Sequence, residues 1–504
     1  VTEDKSVRFS RNIALLGTAS DVGKSLLTTA FCRLLSDAGL RVAPFKAQNM
    51  SNNAAVTLDG GEIGRAQYVQ ALAARVPSSV HHNPVLLKPV TDRTSQVIVH
   101  GKVHTTTGAR DYFDRARQLR ELAFSSLHHL RANHDVVVLE GAGGCAEVNL
   151  RSREFVNFAA AHEAQARVIL VADIERGGVF AQVVGSLDLL SPADRARVCG
   201  VIINKFRGDP SLFDDGVQFL QERTGVPVLG VVPFLPDVGI DQEDSLAAPH
   251  SLGSYSRTAP IAVLAYPHLA NFADFDALGL EEIAVHFIRH TTSLEGYAAV
   301  ILPGSKAVGR DLAWLRRTGL ARELARFIDG GGRVLGICGG MQMLGQRLLD
   351  PHHVESDETE VAGLGHLELT TQFQTTKIVG RRRGHFLVDA DAPHDTRVEG
   401  YEIHHGVSHH AYPALFELWD PSTSRLPAKE GVRTSHVWGT YLHGLFDAPA
   451  FRHQFSRWVN ADIPHLSPVH RTDALQTSIE RFAAHVRTHL DWERIWKWAS
   501  SPAS

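Results

Sequence analysis

Cys338, Gly339 and Gly340 stand between an apolar run, Val334 to Ile337, and a helix-forming segment that begins at Met341. The run is of strand length and too short for a helix. A cysteine at such a strand-to-helix elbow sits at a helix N-terminus, which favours thiolate over thiol. The two glycines let backbone N–H groups approach a bound carbonyl, as an oxyanion hole requires. Gly339 is one expected donor. Gly304, in the turn Pro303-Gly304-Ser305-Lys306 after the strand Ala298 to Leu302, is the other. A thiolate that attacks an amide needs a base to take up its proton and return it to the departing ammonia. Among 28 histidines, His443 ends a strand and precedes Gly444, which makes it the candidate.

A second chemical centre lies near the start. The strand Asn12 to Leu16 runs into Gly17-Thr18-Ala-Ser-Asp-Val-Gly23-Lys24-Ser25, and a helix follows with Leu27, Phe31, Leu34 and Leu35 on one face. In that setting, loop N–H groups and the helix N-terminus surround the phosphates of ATP, Lys24 neutralises charge and Ser25 ligates Mg²⁺. Five residues separate Gly17 from Gly23, one more than in the standard Walker pattern. The longer loop resembles the variant found in dethiobiotin synthetase. Further strand ends supply Glu140 before Gly-Ala-Gly-Gly144, read as a metal ligand in a Walker B arrangement, and Asp173, a second metal or substrate candidate. Asn204-Lys205 looks like the base-recognition corner of related nucleotide-binding proteins. The polar loop Lys46, Gln48, Asn49, Asn52 and Asn53, with Lys88 and Arg93 further on, lies where an open α/β sheet binds ligands. His404-His405 and His409-His410 invite a metal reading, but no compact ligand set accompanies them.

These residues need rigid elements. Strands and helices alternate over most of the first half, which implies a mostly parallel sheet covered on both faces. Segment 246–259 reads as a linker, and a second α/β pattern occupies 260–460. Residues 461–504, rich in Trp, Arg and His, read as terminal helices packed on the body, and Glu355 to Glu360 as an exposed acidic loop. At 504 residues, two or three domains are expected. A net charge of −4 gives no argument for nucleic acid or a membrane surface as partner. The four cysteines are widely spaced and show no zinc pattern, and Cys32 reads as a packing thiol. With no signal-peptide core, the expected location is cytoplasmic.

Taken together, GTASDVGKS, FKAQNMSNNA, EGAGG, YPHLANFADFDAL, LPGSK, GICGGMQMLG, GYEIHHG and GTYLHGLFD resemble the cobyric acid synthase family. The resemblance covers nearly the whole chain. The second and fourth of these stretches separate that family from its sister, the cobyrinic acid a,c-diamide synthases. It implies a dethiobiotin-synthetase-like P-loop domain, 10–245, with ATP and corrinoid sites, and a class I glutamine amidotransferase-like α/β domain with Cys338 as nucleophile and His443 as base. The implied reaction is ATP- and glutamine-dependent amidation of the b, d, e and g carboxylates of adenosylcobyrinic acid a,c-diamide, giving adenosylcobyric acid. Lys46, Lys88 and Arg93 are the expected carboxylate contacts, so that their alanine variants raise the corrinoid KM and spare glutaminase turnover. Most class I amidotransferases have a Glu two residues beyond the catalytic His, where this chain has Leu445. The third member of the site therefore stays open between Glu402 and none. The alternatives are the sister a,c-diamide synthase activity and a ParA/MinD-like ATP switch.

Overall fold

Two parallel sheets, each with polar loops at the carboxyl ends of its strands, carry the two chemical centres. The computed structural model describes residues 8–90, 94–108, 115–151, 153–241, 259–281, 283–356, 358–387, 396–423, 426–459 and 467–501. The first sheet runs Val228–Pro233, Val198–Phe206, Arg167–Asp173, Ile13–Gly17, Val136–Glu140, Val42–Phe45, and all its pairings are parallel. Every residue of Ile13–Gly17 and Val136–Glu140 is buried. Helices on both faces account for these uninterrupted apolar strands. Strand order reverses beside Ile13–Gly17, the place where such sheets open a ligand crevice.

The second sheet runs Val285–Ile288, Ile261–Leu264, Ala299–Leu302, Arg333–Ile337, Val437–Thr440, Val432–Arg433, and only the last pairing is antiparallel. Ile337 pairs with Thr440, so the loops bearing Cys338 and His443 leave adjacent strands side by side. Two features have weaker sequence signals. One is the long antiparallel pair Thr370–Phe386 and Arg397–His409. The other is a four-stranded sheet, Gln48–Met50, Val85–Pro89, Thr94–Val99 and Lys102–Gly108, that reaches from the first half toward the second. Val56, Leu86 and Ile98 from the first half pack there on Ile403, with Val379 and Tyr401 against them.

The terminal helices Arg471–Thr488 and Trp492–Ser500 return to the first half. Leu475, Ile479, Phe482 and Val486 share one core with Leu27, Phe31 and Leu35. Arg33 holds Glu480 at 2.6 Å and Gln476 at 3.0 Å. The second half is thus tied to the first at both of its ends. A long helix before the Glu140 strand runs Ala116–Asn133, and residues 109–114 lie outside the described set. Most of the expected linker, like Arg93, also lies outside it. Among the described residues, no helix is long and apolar enough to cross a membrane.

Candidate active site

Cys338 caps the helix Gly339–Leu344 with φ 51° and ψ −111°, a conformation that costs a β-substituted residue on the order of 1–3 kcal/mol. The turn is that sharp because the helix must pack close under the neighbouring strand. A Cβ on Gly340 would lie 1.9 Å from the Leu302 carbonyl oxygen. The backbone is held by Cys338 N–H donating to Thr440 O at 2.7 Å. The helix is only six residues long. The macrodipole expected at the cysteine is therefore small, and the charge beside the thiol comes from His443 instead. Gly304 lies against the histidine: a Cβ there would be 2.9 Å from His443 Cε1. Gly304, Cys338 and His443 line one pocket between the halves, and Gly339 packs behind it, where a Cβ would lie 2.9 Å from the Ser305 nitrogen.

His443 is fixed from three sides. Its backbone forms a two-bond bridge with Tyr401, and its ring stacks on the Tyr401 ring at 5.4 Å. Its Nδ1 donates to Asp274 Oδ2 at 2.7 Å, while the Gly444 N–H donates to Asp274 Oδ1 at 2.9 Å. The remaining ring nitrogen is left for Cys338. Asp274 is thus the third group, a residue that sequence reasoning missed although it lies inside the quoted YPHLANFADFDAL stretch. Glu402 is not on the histidine. It pairs with Arg382 at 2.7 Å, its near neighbour across the hairpin.

Burial pulls the His443 pKa down, but the charge and hydrogen bond of Asp274, together with the hydrogen bond that the ring donates to Cys338, override it and raise the ring to about 10. Since this value lies above the ordinary 6.5, the stabilisation is fully present below pH 6.5 and is lost as pH rises through about 10. Across the neutral range the ring therefore carries a proton to give. Asp274→Asn is expected to lower glutamine hydrolysis by about 10²- to 10⁴-fold. It also moves the alkaline limb of kcat/KM to lower pH. A pH–rate profile checks this, with Glu402→Gln leaving that limb in place.

In the first half, Lys24 lies across its loop, with Nζ donating at 3.0 Å to both Ala19 O and Gly143 O. The second acceptor belongs to the glycine turn after Glu140. Glu140 Oε1 accepts from Ser25 Oγ at 2.7 Å and from Lys46 Nζ at 2.9 Å. Gln67 and Gln70 donate to its other oxygen. Thr18 Oγ1 donates to Gln182. Asn204 Nδ2 donates to Val22 O at 2.8 Å, and Lys205 Nζ to Asp21 O, so this pair braces the loop beside Gly23. Asp173 is held by Lys205 Nζ at 3.0 Å and by the Glu175 N–H at 2.7 Å. In this structure these two groups occupy the carboxylate expected to serve metal or substrate.

The expected corrinoid contacts scatter. Lys46 is buried on Glu140, at the phosphate loop. Lys88 is buried on Glu62 at 2.6 Å and lines the Cys338 pocket. Its alanine variant should therefore disturb glutaminase turnover rather than spare it. Asn49 donates to Gln67 inside the first half, and Gln48 is half-buried on the same short strand. Glu355, expected in an exposed loop, is largely buried against Lys306.

Family comparisons agree with both centres. Residues 13–246 match the CobQ/CobB/MinD/ParA nucleotide binding domain, and residues 260–451 the CobB/CobQ-like glutamine amidotransferase domain. A cobyric acid synthase of Chlorobium phaeobacteroides (strain BS1) is 47% identical over 97% of this chain and 99% of its own. That of Chlorobaculum tepidum is 46% identical over 96% and 97%, and that of Chloroflexus aggregans 44% over 95% and 96%. The chain belongs to the cobyric acid synthase family. It is a glutamine-hydrolysing ligase that makes amides in cobalamin biosynthesis.

Within this cobyric acid synthase fold, the FKAQNMSNNA and YPHLANFADFDAL stretches touch each other. Asn271 N–H donates to Asn52 O at 3.3 Å, and its side chain accepts from the Ala54 N–H at 3.1 Å. Tyr401, stacked on His443, donates to Ala54 O at 3.2 Å. Asn52 is thus an interdomain contact. The loop that follows Lys46 braces the segment that delivers Asp274, so the nucleotide half abuts the residues that hold the histidine of the other half.

Proposed function

We propose that the chain carries out ATP- and glutamine-dependent amidation of the b, d, e and g carboxylates of adenosylcobyrinic acid a,c-diamide, giving adenosylcobyric acid. The observation that carries this reading is the pocket over Cys338, one wall of which is Lys88 from the nucleotide-binding half. A nitrogen-releasing site that borders the activating half suits transfer of ammonia between them.

Cys338 attacks the side-chain amide of glutamine, and backbone N–H groups at Gly339 and Gly304 hold the oxyanion. His443, oriented by Asp274, gives its proton to the departing ammonia, and water then cleaves the thioester to glutamate. A carboxylate is a poor acceptor because its leaving group would be oxide. Transfer of the ATP γ-phosphoryl to it makes an acyl phosphate that ammonia attacks, with loss of phosphate. Lys24 carries charge for that transfer. Ser25 and Glu140 offer two hard oxygens 2.7 Å apart, the donor type that Mg²⁺ takes, and are the residues that would hold it. Bound there, the ion would offset charge on the phosphoryl oxygens. Lys46, on the same carboxylate, is a phosphate-side group in this reading and not a corrinoid contact.

Mass spectrometry of products formed from ATP, glutamine and the a,c-diamide tests the substrate assignment. Four added amides are expected. Amidation only of the precursor lacking the a and c amides would instead make the chain act as its sister enzyme does.

A further inference from the structure

The pocket over Cys338 holds more fixed charge than an uncharged carboxamide calls for. Lys88, Lys306, Lys377 and Glu355 all line it. Their side chains are 3%, 8%, 7% and 10% exposed, so none is an ordinary solvated surface group. Lys306 Nζ lies 3.3 Å from Glu355 Oε1. Lys88 and Lys377 each lie 2.6 Å from an oxygen of Glu62, which is itself fully buried. Two lysines that share one carboxylate leave that part of the wall positive, whereas Lys306 and Glu355 balance each other.

Buried charge of this kind is costly unless it is matched. Burial and the nearby Lys88 and Lys306 lower the Lys377 ammonium to about 8 even with Glu62 attached. His404 and His405 do not add to the positive charge, because burial above all lowers their pKa, that of His404 to about 3. An anion brought to Lys377 would relieve the imbalance. The free α-amino acid end of glutamine brings one, along with an ammonium.

We infer that this cluster is the receptor for the amino-acid end of glutamine: Lys377 and Lys306 take its α-carboxylate, and Glu355 takes its α-ammonium. Lys88 and Glu62, from the nucleotide-binding half, are positioning residues that hold Lys377 in place across the interface. The inference rests on the reading of Cys338 as the nucleophile that opens glutamine. It adds that the glutamine site is incomplete without the other half of the chain.

The test compares three amides as substrates or competitive inhibitors of the full chain: glutamine, 4-aminobutanamide, which lacks the α-carboxylate, and glutaramate, which lacks the α-amino group. In Lys377→Met, the preference for glutamine over 4-aminobutanamide falls by about tenfold to a hundredfold, because only glutamine loses a charged partner. Lys88→Met gives the same selective loss at smaller size, and Lys377→Arg retains the preference. In Glu355→Gln, the preference for glutamine over glutaramate falls instead. Parallel losses on glutamine and its truncated analogue, or no loss on either, would overturn the assignment and leave these residues a structural role. A native chain that hydrolyses no glutamine at all would sink the nucleophile reading itself, a different result from either.

Discussion

Cys338→Ser lowers glutamine-dependent amidation by about four orders of magnitude or more, while ammonium chloride still drives product formation. The expectation follows from what the elbow is built to do. His443, raised to about 10 by Asp274 and Cys338 against the pull of burial, is matched to a thiol beside it. A serine hydroxyl ionises far less readily, and the protonated ring is a poor base toward it. The strained backbone at residue 338 and the close packing at Gly340 belong to the scaffold and tolerate an oxygen in place of sulfur. Added ammonium chloride bypasses the elbow, since it needs only the activated carboxylate. Glutamate release and amide formation, measured side by side with each nitrogen donor, separate the two steps.

Lys24→Ala has the complementary effect. It removes amidation with either nitrogen donor, by about 10³-fold or more, and leaves the Cys338 site assembled. Lys24 is buried and spans from Ala19 O to Gly143 O, so it joins the phosphate loop to the turn that follows Glu140. No other lysine replaces it, because Lys46 is committed to Glu140 and Lys205 to Asp173 and Asp21 O. Residual glutamine hydrolysis without amide product is the expected signature. Phosphate release falls together with amide formation.

The features legible in the sequence are those whose signals are local. Strand, glycine loop and helix around Lys24, and strand, Cys-Gly-Gly and helix around Cys338, are contiguous, and local backbone demands fix their residue types. Asp274 is 169 residues from His443 in sequence, in a stretch of 3₁₀ turns, and no periodicity links the two. A usable signal was nonetheless present: a carboxylate flanked by Phe272, Phe275 and Leu278 is headed for burial and needs a partner. Glu402 belongs to a different motif from His443, and strand alternation turns it toward Arg382. Lys88 stands in a strand whose neighbours Val85, Leu86 and Leu87 are all buried. A lysine there implies a buried carboxylate as surely as a ligand, and Glu62 is that carboxylate. That Asp173 meets Lys205 is a tertiary fact with no local signal in the sequence.

The packing of the tail helices on the first core was equally out of reach. Their apolar faces are plain in sequence, but nothing local says which core they cover. The same holds for the contact between Asn271 and the Asn52–Ala54 loop, where two separately readable motifs prove to be one interface.

The most direct measurement runs the native chain, Cys338→Ser and Lys24→Ala with ATP, the corrinoid and each nitrogen donor in turn, counting amides by mass. The account predicts product from the native chain with both donors, from Cys338→Ser with ammonium chloride alone, and from Lys24→Ala with neither. Amides formed by Cys338→Ser from glutamine at the native rate, or by any of the three without ATP, would contradict it.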